Sequence, residues 1–404
     1  MRRATFTAGA AAALAAAAGR RASAQTPRVL PGDDVFSAET WQELGGRGVG
    51  IVTNQSGVLS GGTPFVDAVR ANPQIALKAL FAPEHGLRGD HDAGTYVASY
   101  TDARSGLPVY SLYGATRHPS AAMLDGIDVL VFDIQDVGAR PYTYASTLAY
   151  LLQSAKQLGR EVWVLDRPNP IGGLRVEGPV LEPAFSSFIG LYPIPERHGL
   201  TIGELARLFN EHFGIGAALR VVKMRGWTRD MLWTDTGLHW TPTSPNVPYA
   251  RTPLVYLATG LIDEGGVNNG VGTDRPFEYA GGYGFNAVAY ARTLNGRAIP
   301  GAHFEAATWV PERGFWAGKA LSGVLIRLDD PRIFPSVRTA VEFLAAARAQ
   351  DRLRINHAAN FDRDWGTDSV RHALLTGATP DDIVAGWEPG LTTYRAIRER
   401  YLLY

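Results

Sequence analysis

Asp128-Val129-Leu130-Val131-Phe132-Asp133-Ile134-Gln135-Asp136 is the stretch that decides the fold. An unbroken apolar run of strand length ends abruptly in carboxylates and an amide. Strands buried on both faces of a parallel sheet read this way. The pattern recurs at Val49-Gly50-Ile51-Val52-Thr53-Asn54 and at residues 75–81 and 161–166. Helix-like segments fall between these runs at 65–71, 121–124 and 146–158, after an amphipathic opening segment at 36–44. Strands alternating with helices predict an α/β fold with a doubly wound, Rossmann-like parallel sheet. The turn formers Ser244-Pro245-Asn246-Val247-Pro248 follow a Trp-rich stretch at 227–240 and place a domain boundary near residue 250. The expected organisation is a Rossmann-like catalytic domain over 25–250 and a smaller mixed α+β domain over 251–404 that completes a cleft. The second domain is read from a strand-like piece at 324–328 and helices at 336–347 and 392–401.

Composition bounds the function. A chain of 404 residues is longer than one average domain, and its 46% hydrophobic content can bury a large core. Disorder and coiled coil are excluded. With 39 basic and 39 acidic residues, nothing draws the chain to nucleic acid by bulk charge. Cysteine is absent, which excludes a disulfide framework and a thiolate metal site. The first 24 residues read as an export signal. Arg2 and Arg3 precede an Ala-rich apolar run at 8–18, and Ala22-Ser23-Ala24 is a small-residue cleavage pattern. The run is too short to span a bilayer, for which about 20 residues are needed. The Arg pair is similar to a twin-arginine signal, and ordinary export fits as well. The expected location is the periplasm or medium.

In open parallel sheets ligands bind beyond the carboxyl ends of the strands. The residues following each strand are therefore the first candidates. They are Asn54, then Pro83-Glu84-His85-Gly86, then Asp133-Ile134-Gln135-Asp136 with Gly138-Ala139-Arg140, and finally Asp166-Arg167-Pro168-Asn169. Glu84 stands first. Pro83 fixes the backbone before it, and His85-Gly86 makes a tight turn after it. An apolar strand exit also suits a general acid, because desolvation favours the protonated form of a carboxyl. A solvated Glu84 pairing with Arg88 is the bland reading. Asp133 or Asp136 could supply a second carboxylate. Asn54, Gln135, Arg140 and Asn169 have the donors and acceptors that read sugar hydroxyls, an acetamido group or a carboxylate. His85, Asp166 and, further on, His198, Asn246, Arg275 and Glu278 complete the candidate substrate-binding set. Arg275 and Glu278 flank Phe277, and they either grip a ligand or staple their own loop. Trp233, Trp240 and Tyr283 could stack on sugar faces. No dinucleotide fingerprint, P-loop, His-Glu-x-x-His or nucleophile elbow occurs, so no cofactor and no metal are expected.

These residues lie in longer motifs. They include Phe81-Ala82-Pro83-Glu84-His85-Gly86-Leu87-Arg88-Gly89, Gly106-Leu107-Pro108-Val109-Tyr110-Ser111-Leu112-Tyr113-Gly114 and the stretch from Asp128 to Arg140. Leu165-Asp166-Arg167-Pro168-Asn169-Pro170, Arg197-His198-Gly199-Leu200-Thr201-Ile202-Gly203-Glu204, Ser244-Pro245-Asn246 and Gly272-Thr273-Asp274-Arg275-Pro276-Phe277-Glu278 extend them over most of the chain. The sequence thereby resembles the exo-β-N-acetylmuramidases of the NamZ type, formerly a bacterial family of unknown function. The resemblance implies a Rossmann-like N-terminal domain, a smaller C-terminal domain and an active cleft between them. It also implies release of N-acetylmuramic acid from the non-reducing end of peptidoglycan fragments, with Glu84 as the favoured catalytic residue. Pro141 departs from an aromatic residue common before Tyr-Thr-Tyr, and Asn268-Asn269-Gly270-Val271 departs from a more polar run.

Glycoside cleavage needs an acid for the leaving oxygen and a group that stabilises the anomeric centre. Glu84 takes the first role. Asp133 or Asp136 acting on water, or the substrate's own acetamido oxygen oriented by a carboxylate, takes the second. An exported muropeptide- or sugar-binding protein without hydrolysis is the alternative, and a metal-dependent hydrolase using His85, Asp133 and Asp136 is a third. Arg140 and Arg275 are expected to read the lactyl carboxylate that distinguishes muramic acid from glucosamine.

Overall fold

The computed structural model describes residues 29–404, so the expected export segment at 1–24 lies outside the described residues. The N-terminal half is built on a seven-stranded sheet. Its strands are β1 (Gly48–Thr53), β2 (Ala76–Ala82), β3 (Tyr100–Thr101), β4 (Pro108–Ser111), β5 (Val129–Asp133), β6 (Glu161–Leu165) and, after an intervening hairpin, β9 (Ala218–Val222). The hairpin is β7 (Glu177–Val180) with β8 (Pro195–Arg197). The sheet order is β3-β4-β2-β1-β5-β6-β9. All pairings are parallel except the β3 edge.

Why the central strands read as continuous apolar runs is now plain, since every residue of β1 and β5 is buried. Alternation sorts their side chains between two layers. Val52, Phe81, Phe132 and Val164 face one core, which includes helix residues such as Leu148 and Leu205. Ile51, Leu80, Val131 and Leu165 face a smaller core with Phe36 and Phe65. The first layer is covered by α3 (Tyr144–Gln157) and α4 (Ile202–Arg207), the second by α1 (Gly32–Val35) and α2 (Phe65–Arg70).

Some expected elements are shorter or different. The segment 36–44 forms a π-helical turn, Phe36–Thr40, and a 3₁₀ turn, Trp41–Leu44. The segment 121–124 is only a 3₁₀ turn, Ala122–Leu124. The C-terminal half contains α5 (Thr252–Thr259) and α6 (Ala287–Gly296) beside an antiparallel sheet of β10 (Tyr279–Gly282), β12 (Leu321–Leu328) and β11 (Ala302–Trp309), in that order. α7 (Ser336–Ala349) and four further helices follow, α8 (Ala358–Trp365), α9 (Ser369–Thr376), α10 (Pro380–Ala385) and α11 (Glu388–Arg398). The molecule is an α/β sheet domain joined to a smaller mixed domain.

Candidate active site

Glu84 leaves β2 at its carboxyl end and is 8% exposed. The turn after it is strained. His85 has φ 70° and Gly86 φ 76°, both left-handed. Glycine tolerates this conformation, while for His85 it costs about 1–3 kcal/mol, a strain often found at functional sites. The His85 ring is held by an Nδ1 contact of 2.8 Å to the carbonyl of His91. The turn carries the Glu84 side chain over the sheet to the start of α3. There Oε2 accepts from Thr143 Oγ1 at 2.6 Å, and Oε1 accepts from Gly94 N at 2.8 Å. Both donors are neutral. Arg88 instead pairs with Asp102 at 2.8 Å, so Glu84 is not the surface ion-pair partner of the bland reading.

Tyrosines surround the carboxyl. Burial and the nearby Glu84 charge push the Tyr113 phenol up to about 12. Tyr144 and Tyr256 are also raised, by burial first, with Glu84 among the further causes. Tyr142 is raised by burial and then by Tyr144, with smaller effects from Asp136 and Glu84. These phenols therefore stay protonated donors at physiological pH. They form an edge-to-face chain, with Tyr144 to Tyr142 at 4.9 Å, Tyr142 to Tyr256 at 6.0 Å and Tyr256 to Phe277 at 5.0 Å. The chain links the Glu84 side of the sheet to the Arg275-to-Glu278 loop of the C-terminal half.

The second carboxylate is resolved by strand alternation. Thr53 and Asp133 are register partners and share the α1 face, opposite the face of Val52 and Phe132. Asp133 accepts from Arg167 Nε at 2.7 Å, and the same guanidinium reaches Asp33 at 2.6 Å. Asp133 is therefore corrected from catalytic candidate to buried ion-pair partner. The metal reading, which needed Asp133 beside His85 and Asp136, falls with it. Burial raises Asp33 to about 8 against the opposing pull of Arg167.

Asp136 lies three residues on, past the strand end, and acts on the Tyr142 and Tyr144 phenols as Glu84 does. Its Oδ2 accepts from Gly138 N at 2.8 Å, and its buried Oδ1 has no partner. His198 stands behind it. Leu200 N donates to His198 Nδ1 at 3.1 Å, which puts the ring hydrogen on Nε2, 3.6 Å from Asp136 Oδ2.

Several expected substrate contacts are structural instead. Arg140 is no loop tip. It is 2% exposed and ion-paired with the buried Glu196, which removes it as a reader of the lactyl carboxylate. Asp166 accepts from Gly203 N at 2.7 Å and Thr201 Oγ1 at 2.8 Å, fixing the start of α4. Asn169 bonds Leu200 O at 2.9 Å and Ile171 N at 3.1 Å. His198 is fully buried, with its Nε2 3.6 Å from Asp136 Oδ2. Gln135 is turned toward Asp136 O and Pro168 O at 2.7 and 2.8 Å. Asn54 is at the site but one layer back, donating to Tyr144 Oη at 2.8 Å. Asn246 accepts from Arg313 at 3.0 Å. Arg275 and Glu278 do staple their own loop, at 3.2 Å, while Arg275 stays 37% exposed on its side chain. Trp233 packs edge-on to Trp240 at 4.9 Å, away from a stacking role, whereas Tyr283 is exposed.

Sequence reading missed Tyr113, Thr143, Tyr144 and the Gly94 amide. The signal was present in Tyr142-Thr143-Tyr144, three polar-tipped residues where the loop after β5 enters a helix.

Comparison with known proteins matches this arrangement. Residues 49–251 match the family model described as exo-β-N-acetylmuramidase NamZ, N-terminal, and residues 254–404 match its C-terminal counterpart. The chain belongs to the NamZ family. It is 41% identical to the peptidoglycan β-N-acetylmuramidase NamZ of Bacillus subtilis (strain 168), over 95% of this chain and 93% of that protein. A crystal structure of a DUF1343 family protein from Bacteroides fragilis NCTC 9343 superposes with a TM-score of 0.88 at 35% identity, covering 93% of this chain and 99% of that one. A second such protein from the same strain gives 0.74 at 27% identity with the same coverage. In this NamZ chain the two halves meet through the Tyr142–Tyr256 contact, beside Glu84.

Proposed function

We propose that the protein is an exo-acting glycoside hydrolase that releases N-acetylmuramic acid from the non-reducing end of peptidoglycan fragments. One observation carries this: Glu84 is a buried carboxyl held only by neutral donors, close enough to Tyr113 and Tyr144 to raise both phenols. A muropeptide-binding protein has no need of such a group. The activity named for the Bacillus subtilis relative, at 41% identity over nearly the whole chain, supports the same reading.

In the proposed reaction Glu84 gives its proton to the glycosidic oxygen as the bond to the anomeric carbon breaks. Thr143 and Gly94 aim the carboxyl. Asp136 is the second group, because its free Oδ1 can accept from a water or from the substrate's acetamido N–H. Arg275, exposed on the C-terminal side of the aromatic chain, is the remaining candidate for the lactyl carboxylate. Mature protein incubated with a chromogenic β-N-acetylmuramide should release the dye, and the N-acetylglucosamine analogue should not react. If neither is cut, the binding-protein reading replaces this one.

The protein acts outside the cytoplasm in this reading, after removal of residues 1–24. The basic head, Ala-rich run and Ala22-Ser23-Ala24 support it. Exported protein whose intact mass still includes Met1 would overturn it.

A further inference from the structure

β4 pairs with β2 in parallel, Ser111 opposite Ala82, so the loop after β4 leaves the sheet beside Glu84. Three residues past the Gly106-to-Gly114 motif that loop carries Arg117. Arg117 is exposed, and among the described residues its guanidinium makes neither an ion pair nor a hydrogen bond. The other arginines near the site are bound to carboxylates. Arg88 holds Asp102, Arg140 holds Glu196, Arg167 holds Asp33 and Asp133, and Arg275 holds Glu278.

Arg117 is nonetheless held in place. Its guanidinium lies 4.0 Å over the Phe188 ring and 5.3 Å from the centre of the Tyr113 ring. Such cation–π contacts hold a guanidinium without neutralising it. Thr116 pins the backbone on either side: its Oγ1 donates to His118 O at 2.9 Å and accepts from His118 N at 3.0 Å. The His118 ring packs on Tyr150 of α3 at 4.1 Å, and Tyr150 stacks on Phe188 at 5.7 Å. Two observations set this cation at the catalytic site. Tyr113 stands between it and Glu84: burial and the Glu84 charge raise that phenol, while Arg117 pulls it down. Thr143, which holds Glu84, and Tyr150, which anchors the Arg117 loop, are seven residues apart on one face of α3, about 10 Å along it.

We propose that Arg117 is a specificity residue of this site and takes a carboxylate of the substrate. A guanidinium fork matches a carboxylate bidentately, and its weak hydration favours such a pair. A sugar whose glycosidic oxygen meets Glu84 reaches toward Arg117 with the groups across its ring. The inference rests on the function proposed above and deepens it. In that substrate the carboxylate has two sources, the lactyl group of the muramic acid or a peptide attached to it. Arg275 approaches from the C-terminal half and already bonds Glu278, whereas Arg117 has no carboxylate of its own.

The test is steady-state kinetics on three chromogenic muramides. One has a free lactyl carboxylate, one has it capped as the methylamide, and one has it joined to a dipeptide that ends in a carboxylate. Arg117→Gln should raise KM for a carboxylate-bearing substrate roughly tenfold, with kcat near wild type, and leave the neutral methylamide unchanged. A shift on the free lactyl substrate names that carboxylate as the ligand; a shift on the dipeptide substrate alone names the peptide. Arg117→Lys keeps the charge but loses the fork, so its shift should be smaller. Unchanged kinetics on all three, or an equal shift on the methylamide, overturns the proposal, with a melting curve to show that the variant is folded. If Arg117→Gln does not fold, Arg117→Lys decides alone. If wild type cuts none of the three, the proposed function fails, and calorimetric titration with N-acetylmuramic acid and its dipeptide conjugate decides for Arg117. Weaker binding by the variant then sustains the inference; equal binding, or none by wild type, overturns it.

Discussion

Glu84 and Asp133 both leave central strands at the same rim, yet the two carboxylates live in opposite surroundings. Glu84 turns toward the α3 face, where a hydroxyl and a backbone amide hold it and phenols surround it. Asp133 turns toward the α1 face, where a buried guanidinium holds it with Asp33 as a third partner. A carboxyl bonded to a buried guanidinium is committed to that pair, and breaking such a pair is costly. A carboxyl bonded only by neutral donors can take up and release a proton. The contrast teaches that position at a strand end is not enough to mark a catalytic acid. The parity of the residue along the strand, which chooses the face, decides its chemistry.

The sharpest way to break this contrast is at Glu84. Glu84→Gln keeps the shape and removes the proton. Turnover of a substrate with a poor leaving group should fall on the order of 10²–10⁴-fold. An activated leaving group such as nitrophenolate needs less protonation, so its loss should be visibly smaller. Equal losses on both substrates, with an unchanged melting curve, would take the acid role away from Glu84. A collapsed melting point would make Glu84 a structural residue.

Asp133 and Asp136 sharpen the same contrast three residues apart. Asp136→Asn should lower turnover roughly 10²-fold with little change in melting, since its Oδ1 holds no hydrogen-bond partner. Asp133→Asn should do the reverse. It leaves Arg167 with Asp33 and weakens a buried hydrogen bond, costing about 1–3 kcal/mol of stability. Turnover per folded molecule should stay near wild type. Finding the activity loss at Asp133 and the stability loss at Asp136 would invert the assignment.

How much of this was legible in the sequence follows from the range of the forces involved. β1, β5 and β6 could be read to within a residue or two because burial on both faces leaves an unbroken apolar run. β4 was missed, being four residues long and opened by Pro108, and so was β9, an edge strand exposed at its start. Glu84 and the strand-end set were legible because a parallel sheet gathers its carboxyl ends at one rim. Which residues of that set face the cleft was not. Asp133 and Asp136 differ by the loop's departure from strand alternation, and Arg140 differs from Arg275 by a buried Glu196 from a distant hairpin. Such partners are set by tertiary contact, which no local pattern encodes.

The smallest expected effect concerns Asp166, a third strand-end carboxylate, which sits in neither environment. It accepts from the Arg167 and Gly203 amides and the Thr201 and Tyr404 hydroxyls, all neutral donors like those of Glu84, but it is fully enclosed. Burial, and then the charge of Glu204, raise it to about 7 against the pull of those hydrogen bonds. The folded value lies above the ordinary 3.8, so the native state binds the proton more tightly than the unfolded chain. The stability this contributes is fully present below about pH 4 and is lost as pH rises through about 7. Asp166→Asn is a permanently neutral substitute that keeps one acceptor for the Gly203 amide. Plotted against pH, the melting temperature of wild type minus that of the variant should fall between pH 4 and 8, on the order of 2–4 °C. Asp33, Asp263 and Asp364, also raised by burial, titrate in the same range. They are common to both proteins and drop out of the difference. A difference flat across that range would mean that Asp166 stays ionised in the folded protein, held by its neutral donors.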